Sequence, residues 1–253
     1  MKYTLDTLPV LDAYKTGCEC PLCRLRISCE DSYVDSMLGA AYMEPECRIR
    51  TNETGFCTRH FEQMYARRNR LGLALMTHTH MQEVLASLEK ILSGEDASHS
   101  GFLASLRGGN RGSEGKAEKI RARIAGCVIC DQVRGALERY AYTIAQLYFS
   151  NAEFKALFEG SKGVCLPHMA LLLEMSQKTL SAAQHAQFSK ALAALELDNL
   201  RRVEGELEWF TLKFDYRNAD KPWGNSHDAV ERGINKLMGA CVGEEAQLPP
   251  HND

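Results

Sequence analysis

The chain has 253 residues, 45% of them hydrophobic, and its 30 Lys and Arg against 33 Asp and Glu give a net charge of −3. That is ample apolar material for one large core or two modest ones, and so balanced a charge leaves no global footprint for nucleic acid or an anionic membrane. Met1 to Asp6 include an acid and no apolar run, and the longest apolar stretches, such as Met169–Leu173, are far too short to span a bilayer, so a soluble, cytoplasmic protein is expected.

Asp6-Thr7-Leu8-Pro9 reads as a helix start, with Asp or Thr as cap and Pro9 in the first turn of a short helix through about Tyr14. From Pro21 to about Tyr42 only Gly39 interrupts a helical composition, and Glu44-Pro45-Glu46 ends it. After His60 a long helix is expected to about Leu92, with Leu73, Thr77, His80, Val84, Leu88 and Ile91 on its core face. Residues 95–116, rich in Gly, Ser and charge, read as a flexible solvated linker. Asn151 is placed to cap a short helix near 151–158. Helices follow from about 166 to Phe214, with Gly205 as a kink or a close-packing point. Ser226 would cap a last helix, with Asp228 in its first turn, ending near Met238, and residues 243–253 read as a disordered tail. No alternating strand pattern appears. The expected fold is all-α, with two pseudo-repeated helical units, 1–94 and 117–242, the second carrying a C-terminal helical extension.

Both units are organised around one repeated motif. Cys20-Pro21-Leu22-Cys23 is followed by Gly55-Phe56-Cys57-Thr58-Arg59-His60, and Cys127-Val128-Ile129-Cys130 by Gly163-Val164-Cys165-Leu166-Pro167-His168. Corresponding cysteines lie 107 or 108 positions apart. Three thiols and an imidazole make a four-ligand metal set, and each half is spaced so that two side chains reach one ion. The expected sets are Cys20, Cys23, Cys57 and His60 in the first unit and Cys127, Cys130, Cys165 and His168 in the second. Each requires the chain to return after its helix. A helix of ~19 residues travels ~28 Å, and the 14 residues 43–56 span at most ~46 Å, so the first return is feasible if that segment is largely extended.

Thiols at a helix start are stabilised as thiolates, the form that binds metal, and the i,i+3 spacing of Cys57 with His60 and Cys165 with His168 puts each pair on one face. Gly55 and Gly163 allow the positive φ of a tight turn. A tetrahedral Cys3His set fits zinc best and, with no open position, makes it structural. The alternatives are an iron–sulfur cluster or a thiol redox pair. Of the remaining cysteines, Cys29, Cys47 and Cys241 read as ordinary thiols, whereas Cys18 precedes Cys20 closely enough to replace it as a ligand.

Other polar groups are weaker candidates. His80 lies on the apolar stripe with Glu83 one turn on, and Glu204 and Glu208 share a helix face, so a His/carboxylate cluster is conceivable, although the paired Glu-x-x-His of di-iron bundles is absent. Trp209, Phe210, Phe214, Tyr216 and Trp223 form a dense aromatic region that wraps the chain's end or lines a pocket, with Arg217 and Lys221 as anion-binding groups. Arg67-Arg68-Asn69-Arg70 reads as a solvated face or a contact for an anionic partner.

The chain resembles an uncharacterised family of bacterial proteins, mainly from anaerobic Firmicutes, over nearly its whole length. The resemblance rests on Met1-Lys2-Tyr3-Thr4-Leu5-Asp6-Thr7-Leu8-Pro9-Val10, on both cysteine motifs, on residues 69–80 (Asn69-Arg70-Leu71-Gly72 through His78-Thr79-His80), and on Lys213-Phe214-Asp215-Tyr216-Arg217-Asn218 with Lys221-Pro222-Trp223-Gly224. Known by its pattern and not by an activity, the family lends no catalytic residues. The expected function is that of a metal-binding protein with structural zinc that binds an unidentified protein or small molecule, away from membranes and nucleic acid; the alternative is an iron–sulfur or thiol redox protein or enzyme that uses the Cys3His sets.

Overall fold

The computed structural model describes residues 6–93 and 111–247. Among them lie eleven α-helices and no strand, as the all-α reading expects. They are α1 (Thr7–Lys15), α2 (Pro21–Leu38), α3 (Pro45–Thr54), α4 (Thr58–Ala66), α5 (Arg70–Ser93), α6 (Arg111–Ile124), α7 (Val128–Ser150), α8 (Ala152–Glu159), α9 (Leu166–Thr179), α10 (Ala182–Leu212) and α11 (Ala229–Met238). No helix among the described residues is long and apolar enough to cross a membrane.

The helix boundaries follow local chemistry. The long helix expected after His60 is two, because Asn69 accepts a hydrogen bond from the Gly72 N–H (2.9 Å) and opens α5 as a new helix. Two arginines of the basic run are engaged at this break: Arg67 pairs with Asp31 and Asp35, and the Arg70 guanidinium stacks on the Tyr65 ring. Asn151 caps α8 as expected, and Ser181 with Gln184 forms a capping box on α10. The N-cap position of α11 is Asp228, whose side chain pairs with Arg232 and makes no capping hydrogen bond; Ser226 is buried and donates to the Trp223 carbonyl (2.6 Å). α10 runs through Gly205 without interruption, with open space where a side chain would project, so this glycine is not a close-packing point.

The chain divides into two compact units, but not at the expected linker. One comprises residues 1–29 and 134–253, the other residues 30–133. α2 and α7 each begin in one unit and end in the other. Neither has Pro in its interior, and Gly135 is the one glycine between them, so nothing local stops either helix at the boundary. Of the expected linker, residues 95–110 lie outside the described residues and 111–116 form the first turns of α6. The tail expected from 243 is described as far as Gln247: residues 244–246 make a 3-10 turn, and Glu245 accepts a hydrogen bond from the Glu19 N–H (2.8 Å). Residues 248–253 lie outside the described ones.

In the discontinuous unit Tyr14, Tyr148, Phe154, Phe158 and Phe188 interlock through edge-on and tilted ring contacts at 5.1–6.4 Å. Cys20, Cys23 and Cys165 belong to the same buried cluster. Each large apolar side chain buried there contributes about 1.5–3 kcal/mol, so this core holds the cysteines in place. In the continuous unit α3 and α6 pack on α5, and Val34, Met37, Met64 and Met76 are buried.

Candidate metal centres

All eight motif residues occupy equivalent places on four helices. Cys20, Cys57, Cys127 and Cys165 each immediately precede the first residue of α2, α4, α7 and α9, and Cys23, His60, Cys130 and His168 are the third residues of those helices. Cys57 and Cys165 are extended N-caps with nearly equal backbone angles, φ −75° and −78°. The preceding turns also match, since Gly55 and Gly163 have φ of 74° and 76°. In both motifs the imidazole folds back over the capping thiol, with Nδ1 3.2 Å from Sγ. Every ligand pair thus sits at the positive end of a helix, where a thiolate is stabilised.

The structure brings these pairs together crosswise. Cys20 and Cys23 meet Cys165 and His168, and Cys57 and His60 meet Cys127 and Cys130. The within-repeat sets, Cys20/Cys23/Cys57/His60 and Cys127/Cys130/Cys165/His168, do not form. The expected return of the first repeat required an extended segment, but Pro45–Thr54 is helical and packs on α5. Ten residues advance only ~15 Å as a helix, and the Cys57–His60 pair they deliver faces the start of α7. Each unit therefore holds one complete Cys3His group, built from one half of each repeat. Cys18 stands outside both.

The geometry suits a single ion. All four donor atoms of each group lie within 4.8 Å of one another. In the buried group, Cys23 and Cys165 Sγ are 3.6 Å apart, and His168 Nδ1 lies 3.3 and 3.5 Å from the Cys20 and Cys23 sulfurs. In the other, Cys57 and Cys130 Sγ are 3.8 Å apart, and His60 Nδ1 lies 3.1 and 3.4 Å from the Cys127 and Cys130 sulfurs. A tetrahedral zinc with bonds of ~2.3 Å to sulfur and ~2.0 Å to nitrogen needs edges of ~3.8 and ~3.5 Å. These sulfurs are too far apart for a disulfide, whose S–S bond is ~2.05 Å, and all ten cysteines are free thiols.

Protonation favours a cation for the same reason. At the second group burial alone would lower the His60 pKa, but Cys127 and the Glu30 carboxylate outweigh it and push it up to about 10. Burial and the adjacent Cys127 push the Cys130 thiol up to about 12. At the first group Cys165 and Cys20 hold the Cys23 thiolate far below the thiol range, whereas burial raises Cys20. Three thiolates cannot share so small a volume without positive charge among them, and a bound dication would supply it.

The surroundings of the two groups differ. Behind His60, Nε2 lies 2.9 Å from Glu30 Oε1, and Arg59 pairs with the same carboxylate, which fixes the imidazole so that Nδ1 faces the sulfurs. The first group is buried throughout, whereas Cys57 and Cys130 are half-exposed. Over the first group lies the end of α11. The Ala240 N–H donates to Cys23 Sγ (3.1 Å), and Gly239, at φ 90°, brings the backbone against the Cys23 and Cys165 sulfurs. The buried Lys236 ammonium donates to the carbonyls of Glu19 (2.8 Å) and Val164 (3.4 Å), each one residue before a ligand cysteine. Glu19, also buried, is ringed by Lys236, Arg202, Arg232 and Lys162 at 2.6–3.8 Å. Glu196 accepts from the Val164 N–H (2.5 Å) and covers Gly163, while its second oxygen is unpartnered.

Motif spacing did not point to Glu30, Glu19, Glu196 or Lys236. Glu30 had a faint signal, two turns beyond Cys23 on the same helical face. The conceivable cluster of His80 with Glu83, Glu204 and Glu208 does not form. All three carboxylates are exposed, and His80 instead packs on Gly55 and hydrogen-bonds the Asn52 carbonyl (2.8 Å). In the aromatic region Arg217 is held by Asp215, and Lys213 turns inward to the carbonyls of Asn218, Ala219 and Lys221 (2.5–2.8 Å).

A model of a family of unknown function, DUF6062, matches residues 1–244. No curated protein and no solved structure matches the chain.

Proposed function

The chain belongs to that family of unknown function, which lends it no activity, and from its own geometry we propose a cytoplasmic zinc protein whose two metals are structural and whose work is binding a partner. The observation that carries the reading is the pair of closed Cys3His groups with tetrahedral edge lengths. Cys20, Cys23, Cys165 and His168 would hold one ion, and Cys57, His60, Cys127 and Cys130 the other. Zinc supplies a fixed tetrahedral cross-link there and, with four protein ligands, no open position for substrate. The closeness of the sulfurs favours a single ion over an iron–sulfur cluster, which spreads its cysteines over several irons. Ten unpaired thiols suit a reducing compartment.

Metal analysis of anaerobically purified, tag-free protein tests this. About two zinc per chain, no visible absorbance, and loss of helical circular dichroism on chelation are expected. Iron with sulfide, or a metal-free protein with an unchanged melting temperature, would overturn the reading.

A further inference from the structure

We propose that the outward face of α11 is a docking surface for a basic amphipathic helix of a partner protein; the inference rests on the reading of this chain as a binding module. α11 packs inside out. Its buried face carries Arg232, Asn235 and Lys236, while Val230, Ile234, Leu237 and Met238 face solvent, Leu237 at 55% and Met238 at 74% exposure. Positions i, i+4, i+7 and i+8 are the stripe that a surface helix ordinarily turns to the core.

The inversion has a cause in the metal centre. Lys236 joins the carbonyls before Cys20 and Cys165. Arg232 pairs with Glu206 and Asp228, and Asn235 holds the backbone of Cys241 and Val242. Turning the helix over would strand these groups and withdraw Ala240 from Cys23. The apolar stripe is therefore held outward, where so regular a patch marks an interaction site.

Charge names the occupant. Glu231, next to Val230 on the same helix, lines a cleft of about 550 Å³ with Asp228, Glu244 and Glu245, and Arg232 and His227 also stand on its wall. Glu231 and Glu244 have no cationic partner among the described residues, Lys236 is turned inward, and Arg232, the cation on the cleft wall, is paired with Glu206 and Asp228, so the cleft keeps an acidic excess. A partner helix laying an apolar stripe on Ile234 and Leu237 would bring flanking Lys or Arg to this cleft. A second copy presenting the same face would set acid against acid, and an anionic membrane would be repelled.

The test uses the full chain, with zinc measured on every sample, and two fluorescent amphipathic peptides, one of Leu and Lys and one of Leu and Glu in the same helical pattern. The Leu/Lys peptide is expected to bind, and the Leu/Glu peptide is not. Ile234→Glu and Leu237→Glu should each weaken binding by roughly tenfold or more with zinc content and melting temperature unchanged, and Glu231→Lys should weaken it too. No binding of the Leu/Lys peptide, equal binding of both, or indifference to these substitutions would overturn the proposal. So would a dimer by light scattering that Ile234→Glu dissociates, or sedimentation with neutral phosphatidylcholine vesicles. Two zinc per chain with a failed peptide assay sinks the docking surface alone; absent zinc sinks the structural-zinc reading while the peptide arms still judge the surface.

Discussion

Glu196 is a carboxyl buried against backbone, with one oxygen on the Val164 N–H and the other unpartnered. Burial raises its pKa to about 7, against the pull of Lys236 and the Val164 N–H and with help from the charge of Glu19. The fold therefore keeps this proton at pH values where the unfolded chain, titrating near 4.5, has released it. The contribution is intact below about 4.5, is lost as pH rises through 7, and the full penalty stands at pH 8. Glu196→Gln keeps an acceptor for Val164 and cannot ionise. Thermal unfolding should show the variant more stable than the parent by about 3 kcal/mol at pH 8, with the gap closing near pH 5. A gap independent of pH would mean that the carboxyl is already neutralised by its neighbours.

Turns and caps place the ligands, and two glycines separate what a turn needs from what a helix tolerates. Gly163 holds φ at 76°, and a side chain there would fall on the Glu196 carboxylate; its counterpart Gly55 holds φ at 74° beneath His80. Gly205 lies in the interior of α10 with open space around it. Gly163→Ala combines a left-handed backbone with a clash against a buried group, and should lower stability by about 2–4 kcal/mol. Gly205→Ala removes only backbone freedom and should raise it by about 0.5–1 kcal/mol. Denaturant unfolding of the two variants measures both signs. Sequence pattern identified Gly163, because it recurs two residues before each motif cysteine. It misjudged the packing around Gly205, whose neighbours in space cannot be read from its neighbours in the chain. α11 ends at Met238 as expected, but the face it buries is not legible: pattern alone sends Arg232 and Lys236 to solvent and Ile234 and Leu237 to the core, and only the buried Glu19 and the carbonyls beside the candidate metal site reverse them.

For the molecule as a whole, local signals carried the ligands and their helical setting but not their partners. Cys20, Cys23, Cys57, His60 and their counterparts were readable from spacing, because a cap and the third helical residue are set by consecutive φ/ψ angles. Which pair meets which depends on where Pro45–Thr54 takes the chain, and the helix formed there closes off the extended return that the within-repeat pairing needed. The crossed pairing has a consequence in metal counts. If each site draws on both repeats, Cys20 and Cys165 share one ion, and Cys57 and Cys127 the other. Cys20→Ala with Cys165→Ala should then lose one zinc and destabilise little more than either alone, since the first substitution already empties the shared site. Cys20→Ala with Cys57→Ala should lose both ions, with losses in stability that are closer to additive. Within-repeat pairing gives the reverse, with Cys20→Ala and Cys57→Ala together costing one ion and Cys20→Ala with Cys165→Ala costing two. Zinc per chain in the two double variants, measured beside the four single ones, decides between them.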